Sequence, residues 1–189
     1  MSDFKQYLVV IDPGHGGNDY GASGDISLEK ELNLKYARAL RDRMMLDTRF
    51  MPVLTRHNDS YIHLSTRSKI AIDKKADIFI SIHMNSFTSD QPNGTQIYYY
   101  DDIKDIKLAN TLIGYINKKH NKTPSKWTGV RFGNYQVLRD LSQKTKIPAV
   151  LLEVGFISNE DEEVRLNDNM FRSGFVDGLF NGILHYLTK

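Results

Sequence analysis

Two histidines and a glutamate stand just past three short apolar runs, and these are residue types from which a hydrolytic metal site is built. His15 follows Val9-Val10-Ile11 within Asp12-Pro13-Gly14-His15-Gly16-Gly17. His83 follows Ile78-Phe79-Ile80-Ser81-Ile82 and precedes Met84-Asn85-Ser86. Glu153 follows Val150-Leu151-Leu152 and precedes Val154-Gly155-Phe156. In an open parallel sheet, ligands bind at the carboxyl ends of strands. Two His and a carboxylate can hold zinc with one open position, where water is acidified toward a pKa of about 7. A separate carboxylate must then take that water's proton.

Each residue has a bland reading beside this one. The glycines around His15 permit a sharp turn and close substrate approach. They could equally mark a simple turn or a phosphate cradle, but the spacing matches neither usual nucleotide fingerprint. His83 alone could be a core residue, yet a second His at a second strand end is better explained by a shared ion. Glu153 lies inside a hydrophobic run, which is costly unless the carboxylate is paired, metal-bound or functional. The competing explanation is a salt bridge to a buried arginine. For a third ligand, Glu29 and Glu31 both open the first helix, where acids are favoured in any case. Spacing does not choose between them. Arg131 could bind a substrate carboxylate, although loop arginines are usually solvated. Tyr98, Tyr99 and Tyr100 could stack on sugar rings, but a strand near a sheet edge explains them as well. His57, His63, His120 and His185 read as surface or packing residues.

The elements that must position these groups alternate between strand and helix. Strands are expected at Tyr7 to Ile11, Val53 to Thr55, Asp77 to Ile82, Thr95 to Tyr100 and Ala149 to Leu152, with a short one at Tyr135 to Leu138. Helices are expected at Leu28 to Met45, capped by Ser27, and at Leu64 to Lys75, Ile103 to Lys119 and Phe171 to Leu187. Asn85 to Gly94 and Asn121 to Gly133 read as loops, the second holding Trp127. The pattern predicts one α/β domain, a mostly parallel twisted sheet of about six strands with helices on both faces.

Composition sets the outer bounds. The 189 residues fit one domain, and a net charge of +2 is too small to argue for nucleic acid. There is no cysteine, which excludes disulfides and thiolate metal sites. No apolar run reaches the roughly 18 residues of a membrane span. Met1 to Gln6 carries no apolar signal region. The chain therefore acts where it is made, is an excised domain, or is exported by means outside this sequence.

Taken together, these segments resemble the zinc-dependent N-acetylmuramoyl-L-alanine amidases of type 3, which act in bacterial cell-wall lysis. The resemblance runs through Ile11 to Gly17, Glu29-Lys30-Glu31-Leu32-Asn33-Leu34, Leu54-Thr55-Arg56, Ala76 to Ser86 and Pro148 to Asn159. It departs at Met84, where Ala is usual, and at Glu31, where Asp is common. The resemblance implies that residues 1–189 form one amidase catalytic domain. It implies zinc held by His15, Glu29 and His83, with Glu153 as the catalytic glutamate and Asn85 and Arg131 facing the cleft. The implied substrate is peptidoglycan, cut between N-acetylmuramic acid and L-alanine, at the bacterial cell wall. The enzyme is expected to act as a monomer, with any cell-wall-binding module separate. A zinc peptidase or deacetylase, or a non-catalytic peptidoglycan-binding module, is the alternative. Phage, sporulation and housekeeping roles stay open.

Overall fold

A computed structural model describes residues 5–120 and 125–189. Its elements are β1 (Tyr7–Pro13), α1 (Glu29–Met45), β2 (Phe50–Leu54), α2 (Leu64–Asp73), β3 (Ile78–Asn85), β4 (Gln96–Tyr99), α3 (Lys104–His120), β5 (Gly129–Phe132), α4 (Gln136–Lys144), β6 (Ala149–Phe156), α5 (Glu160–Asn167) and α6 (Asn169–Thr188). The six strands form one sheet in the order β2-β1-β3-β6-β4-β5. The β2, β1, β3 and β6 strands run parallel. The β4 strand pairs antiparallel with β6 and parallel with β5. The expected α/β architecture is therefore observed.

Strand periodicity divides the core. Val9, Ile11, Ile78, Ile80, Ile82, Val150 and Leu152 face one layer, where α1, α3 and α6 supply Leu32, Leu112 and Phe175. The intervening Val10, Phe79, Ala149 and Leu151 face the other layer, filled by α2 and α4 through Ala71, Val137, Leu138 and Leu141. Both faces of the central strands are covered, which is why they read as continuous apolar runs. The same alternation puts Asp12, Ser81, His83 and Glu153 on the face shared with α2 and α4.

The chain leaves β1 for β2 on one side, while β3 lies on the other. The crevice between β1 and β3 is thus a topological switch point, where ligands bind in such sheets.

Several local expectations need correction. Tyr135 to Leu138 is not a strand but the start of α4. Val137, Leu138 and Leu141 repeat at helical spacing and bury one face. The expected loop from Asn121 to Gly133 contains β5, which completes the sheet edge beside β4. Residues 121–124 of that loop and the side chain of His120 lie outside the described residues. Ser27 does not cap α1. The cap position is Leu28, without a side-chain bond, and Ser27 Oγ donates instead to Glu163 Oε1 at 2.7 Å. The β2 strand starts earlier than expected, at Phe50, and accommodates Pro52 because it is an edge strand.

Candidate metal centre and active site

His15 is carried by the turn that leaves β1, and its backbone is left-handed, with φ of 58°. That conformation is uncommon outside glycine and persists where surrounding structure enforces it. Two buried arginines do so. Arg56 donates to the carbonyls of Pro13 (3.0 Å) and Gly14 (2.8 Å). Arg67 donates to those of Pro13 (2.7 Å) and His15 (2.8 Å). Arg67 also binds Asp12 Oδ1 at 2.8 Å, and Asp12 accepts Thr55 Oγ1 at 2.5 Å and Ser81 Oγ at 2.7 Å. A fully buried carboxylate is tolerated here because all its partners are in place. The arginines are committed to this turn, and neither reaches Glu153. The salt-bridge explanation for Glu153 therefore does not apply.

Glu29 sits at the first position of α1 and is 4% exposed, whereas Glu31 faces solvent. Its Oε1 lies 2.9 Å from His83 Nδ1 and 3.2 Å from His15 Nε2. Its Oε2 accepts the amide of Ala22 at 2.8 Å. His15 Nδ1 meets Asp19 Oδ1 at 2.8 Å, so that proton points at Asp19 and Nε2 is turned toward Glu29. Burial pushes the Glu29 pKa up, but hydrogen bonds from His15 and His83 outweigh it and hold the carboxyl well below the carboxylate range. For His15, burial favours the neutral ring, and Glu29 and Asp19 overcome it, raising the pKa above its ordinary value.

The donor set fits zinc. One ligand atom from each of His15, Glu29 and His83 lies within 4.8 Å of the others. Ligands about 2.0–2.1 Å from a tetrahedral zinc stand about 3.3 Å apart. The two separations from Glu29 Oε1, 2.9 and 3.2 Å, are close to that value. Gly14 supplies the clearance, because a Cβ at this position would lie only 2.1 Å from His83 Cε1 and clash with the ring.

Glu153 is Cα partner to His83 in the β3–β6 ladder and is 9% exposed. Its Oε2 is buried with no hydrogen-bond partner among the described residues. Burial, assisted by the charge of Glu29, raises its pKa to about 7 against the opposing pull of His83 and His15. A carboxyl poised near neutrality beside a metal-type donor set has the properties of a general base. All four groups line one cleft of about 440 Å³, which extends past Tyr61, Ile62, Tyr135 and Gln136 at the N-terminal ends of α2 and α4.

Residues 9–185 match the family model described as Amidase_3, N-acetylmuramoyl-L-alanine amidase. The chain belongs to this amidase family. It is 40% identical over 188 residues to the probable cell wall amidase LytH of Staphylococcus epidermidis, covering 98% of this chain and 60% of that protein. It is 38% identical over 183 residues to the LytH of Staphylococcus aureus, covering 95% and 58%. The chain thus spans about three fifths of these curated relatives. Among solved structures it resembles the catalytic domain of CwlV, an N-acetylmuramoyl-L-alanine amidase from Bacillus (Paenibacillus) polymyxa var. colistinus. The TM-score is 0.88 at 38% identity, over 97% of this chain and 99% of that one. An N-acetylmuramoyl-L-alanine amidase from Clostridium difficile 630 gives a TM-score of 0.90 at 31% identity, covering 98% of both chains.

Of the sequence-predicted site residues, the structure gathers His15, Glu29, His83, Glu153 and Asn85 around the cleft. Arg131 is elsewhere. It is exposed on β5, outside the cleft lining, with Nη2 donating to the Trp127 carbonyl at 3.2 Å. Sequence reasoning missed Asp12, Asp19, Arg56 and Arg67 as supports of the His15 turn. Asp12 and Arg56 fall inside motifs that were recognised without a role. Asp19 is four residues beyond His15, a spacing that could have suggested a carboxylate partner.

Proposed function

We propose that this chain is the catalytic domain of a zinc-dependent peptidoglycan hydrolase. It cleaves the amide between N-acetylmuramic acid and the L-alanine of the stem peptide. The observation that carries this reading is Glu153: a buried carboxyl, its Oε2 without a hydrogen-bond partner among the described residues, beside a His-Glu-His donor set in a member of an amidase family. His15, Glu29 and His83 would hold the zinc. Bound there, the ion supplies Lewis acidity toward a carbonyl and acidifies a water.

The rest of the chemistry falls to the chain. Glu153 takes the proton of the attacking water and delivers one to the departing amine, roles suited to its raised pKa. Asp19 keeps the His15 ring oriented, and Arg56 and Arg67 keep its turn from relaxing. Glu29 and Glu153 are themselves buried, which strengthens the electrostatics at their carboxyls. Asn85, which lines the cleft, is a substrate-facing amide. The enzyme acts at the bacterial cell wall as a monomer. The greater length of its curated relatives leaves room for a separate wall-binding module.

Product analysis on purified walls tests the reading. Free stem peptides beginning with L-alanine are expected, with loss of activity on chelation and recovery with zinc. Release of acetate would point to deacetylation, cleavage within the stem to a peptidase, and no release at all to a binding module.

A further inference from the structure

The tyrosines that the sequence offers for sugar stacking are engaged elsewhere. Tyr98 packs edge-on to Tyr135 with centroids 5.1 Å apart, and Tyr99 and Tyr100 pack against Phe132. A different aromatic pair faces solvent. Phe87, 53% exposed, lies 6.1 Å from half-buried Trp127, with the rings tilted by 42°. This contact joins the loop after β3 to the turn before β5.

The pair is anchored from below. The Phe87 amide donates to Ser158 Oγ at 3.0 Å, and that of Trp127 to Ser125 Oγ at 3.2 Å. The Trp127 carbonyl accepts Gln96 Nε2 at 2.9 Å. Gln96 is buried, and its Oε1 accepts Asn85 Nδ2 at 2.9 Å. Asn85 lines the cleft. A hydrogen-bond chain through Asn85 and Gln96 to the Trp127 carbonyl therefore ties the platform to the cleft wall. Two cations border it: the exposed Lys126, with Nζ 5.4 Å from the Trp127 centroid, and the exposed Arg131.

We propose that Phe87 and Trp127 form a subsite for an N-acetylated amino sugar of the glycan strand. This inference rests on the proposed action on peptidoglycan. A pyranose presents a face of C–H groups that packs against aromatic rings, while its hydroxyl and acetamido oxygens accept from Lys126 and Arg131. A polymer that continues in both directions from its peptide-bearing sugar needs an open surface. The cleft past Tyr61, Ile62 and Tyr135 takes the shorter stem peptide instead. With both loops tied down, little ordering accompanies binding.

Trp127 is the only tryptophan of the chain, so its fluorescence reports on this platform alone. The probe is a β-1,4-linked tetramer of N-acetylglucosamine, which has no stem peptide and no muramoyl amide. Its binding is therefore read separately from the amidase reaction. A saturable emission change is expected, with affinity weakened about five- to tenfold in Phe87→Ala and restored in Phe87→Tyr. The KM on purified walls should rise in Phe87→Ala by a similar factor, with zinc content unchanged. Oligosaccharide binding in a protein that fails to cleave walls would support the subsite while removing the amidase reading. No emission change at millimolar tetramer, an unchanged affinity in Phe87→Ala, or a response only to free stem peptide would overturn the subsite.

Discussion

His83 and Glu153 occupy the same step of the parallel ladder between β3 and β6, on the sheet face that packs α2 and α4. One step either way along either strand would turn a side chain into the opposite core layer. The juxtaposition of a metal-type ligand with a carboxyl near neutrality is therefore a matter of register. The apolar residues before each strand end fix that register, because they pack on alternate faces.

Glu153→Ala should retain zinc yet lose wall hydrolysis by about 10²–10⁴-fold, the range for removing a general acid–base group. Metal analysis of the purified variant, paired with a turbidity assay, checks both halves. Normal cleavage by this variant would remove Glu153 from the chemistry.

The same carboxyl should cost stability. Its folded pKa, about 7, lies above its ordinary value of 4.5. The folded state binds more protons between those values, so stability falls as pH rises through this window. The full cost above pH 7 is about 3 kcal/mol. In chelator-stripped protein, Glu153→Gln should raise Tm at pH 8 and change it little at pH 4. Equal Tm differences at both pH values would contradict a buried, titrating carboxyl.

Arg67→Met should destabilise the fold by about 3–5 kcal/mol, because Asp12 would remain buried without its charged partner. Urea unfolding measures this. Zinc affinity should weaken as well, since the His15 carbonyl loses its tether. Retention of full zinc affinity would show that the turn holds its shape without Arg67.

Glu163 carries a different load. It is buried and accepts Ser27 Oγ and the amides of Asp25 and Ile26, pinning the loop before α1. Burial raises its pKa, but the Ser27 hydroxyl and these amides prevail and lower it. Its contribution is present above the unfolded value and is lost as pH falls through the lower folded value. Glu163→Ala should cost about 2 kcal/mol at pH 7 and progressively less in acid, as read by denaturant titration.

The sheet was legible where strands are buried on both faces. The β1, β3 and β6 strands announce themselves as unbroken apolar runs. The α4 helix was not legible, since Val137 and Leu138 form too short a run to reveal a period without Leu141. The site was legible through His15, His83 and Glu153, because polar residues stand out at apolar strand ends. The choice of Glu29 over Glu31 came from family resemblance, and the fold accounts for it: one side chain is buried beside both imidazoles and the other is solvated. The support from Arg56 and Arg67 was invisible because the carbonyls of the His15 turn that they hold lie some forty or more residues away. No sequence pattern encodes such a contact.

Gly14 sets one further limit. The imidazole of His83 fills the space above it, so no larger residue can enter there without displacing that ring. At this one point the pocket floor is closed to variation, and the ring that closes it is one of the three candidate ligands.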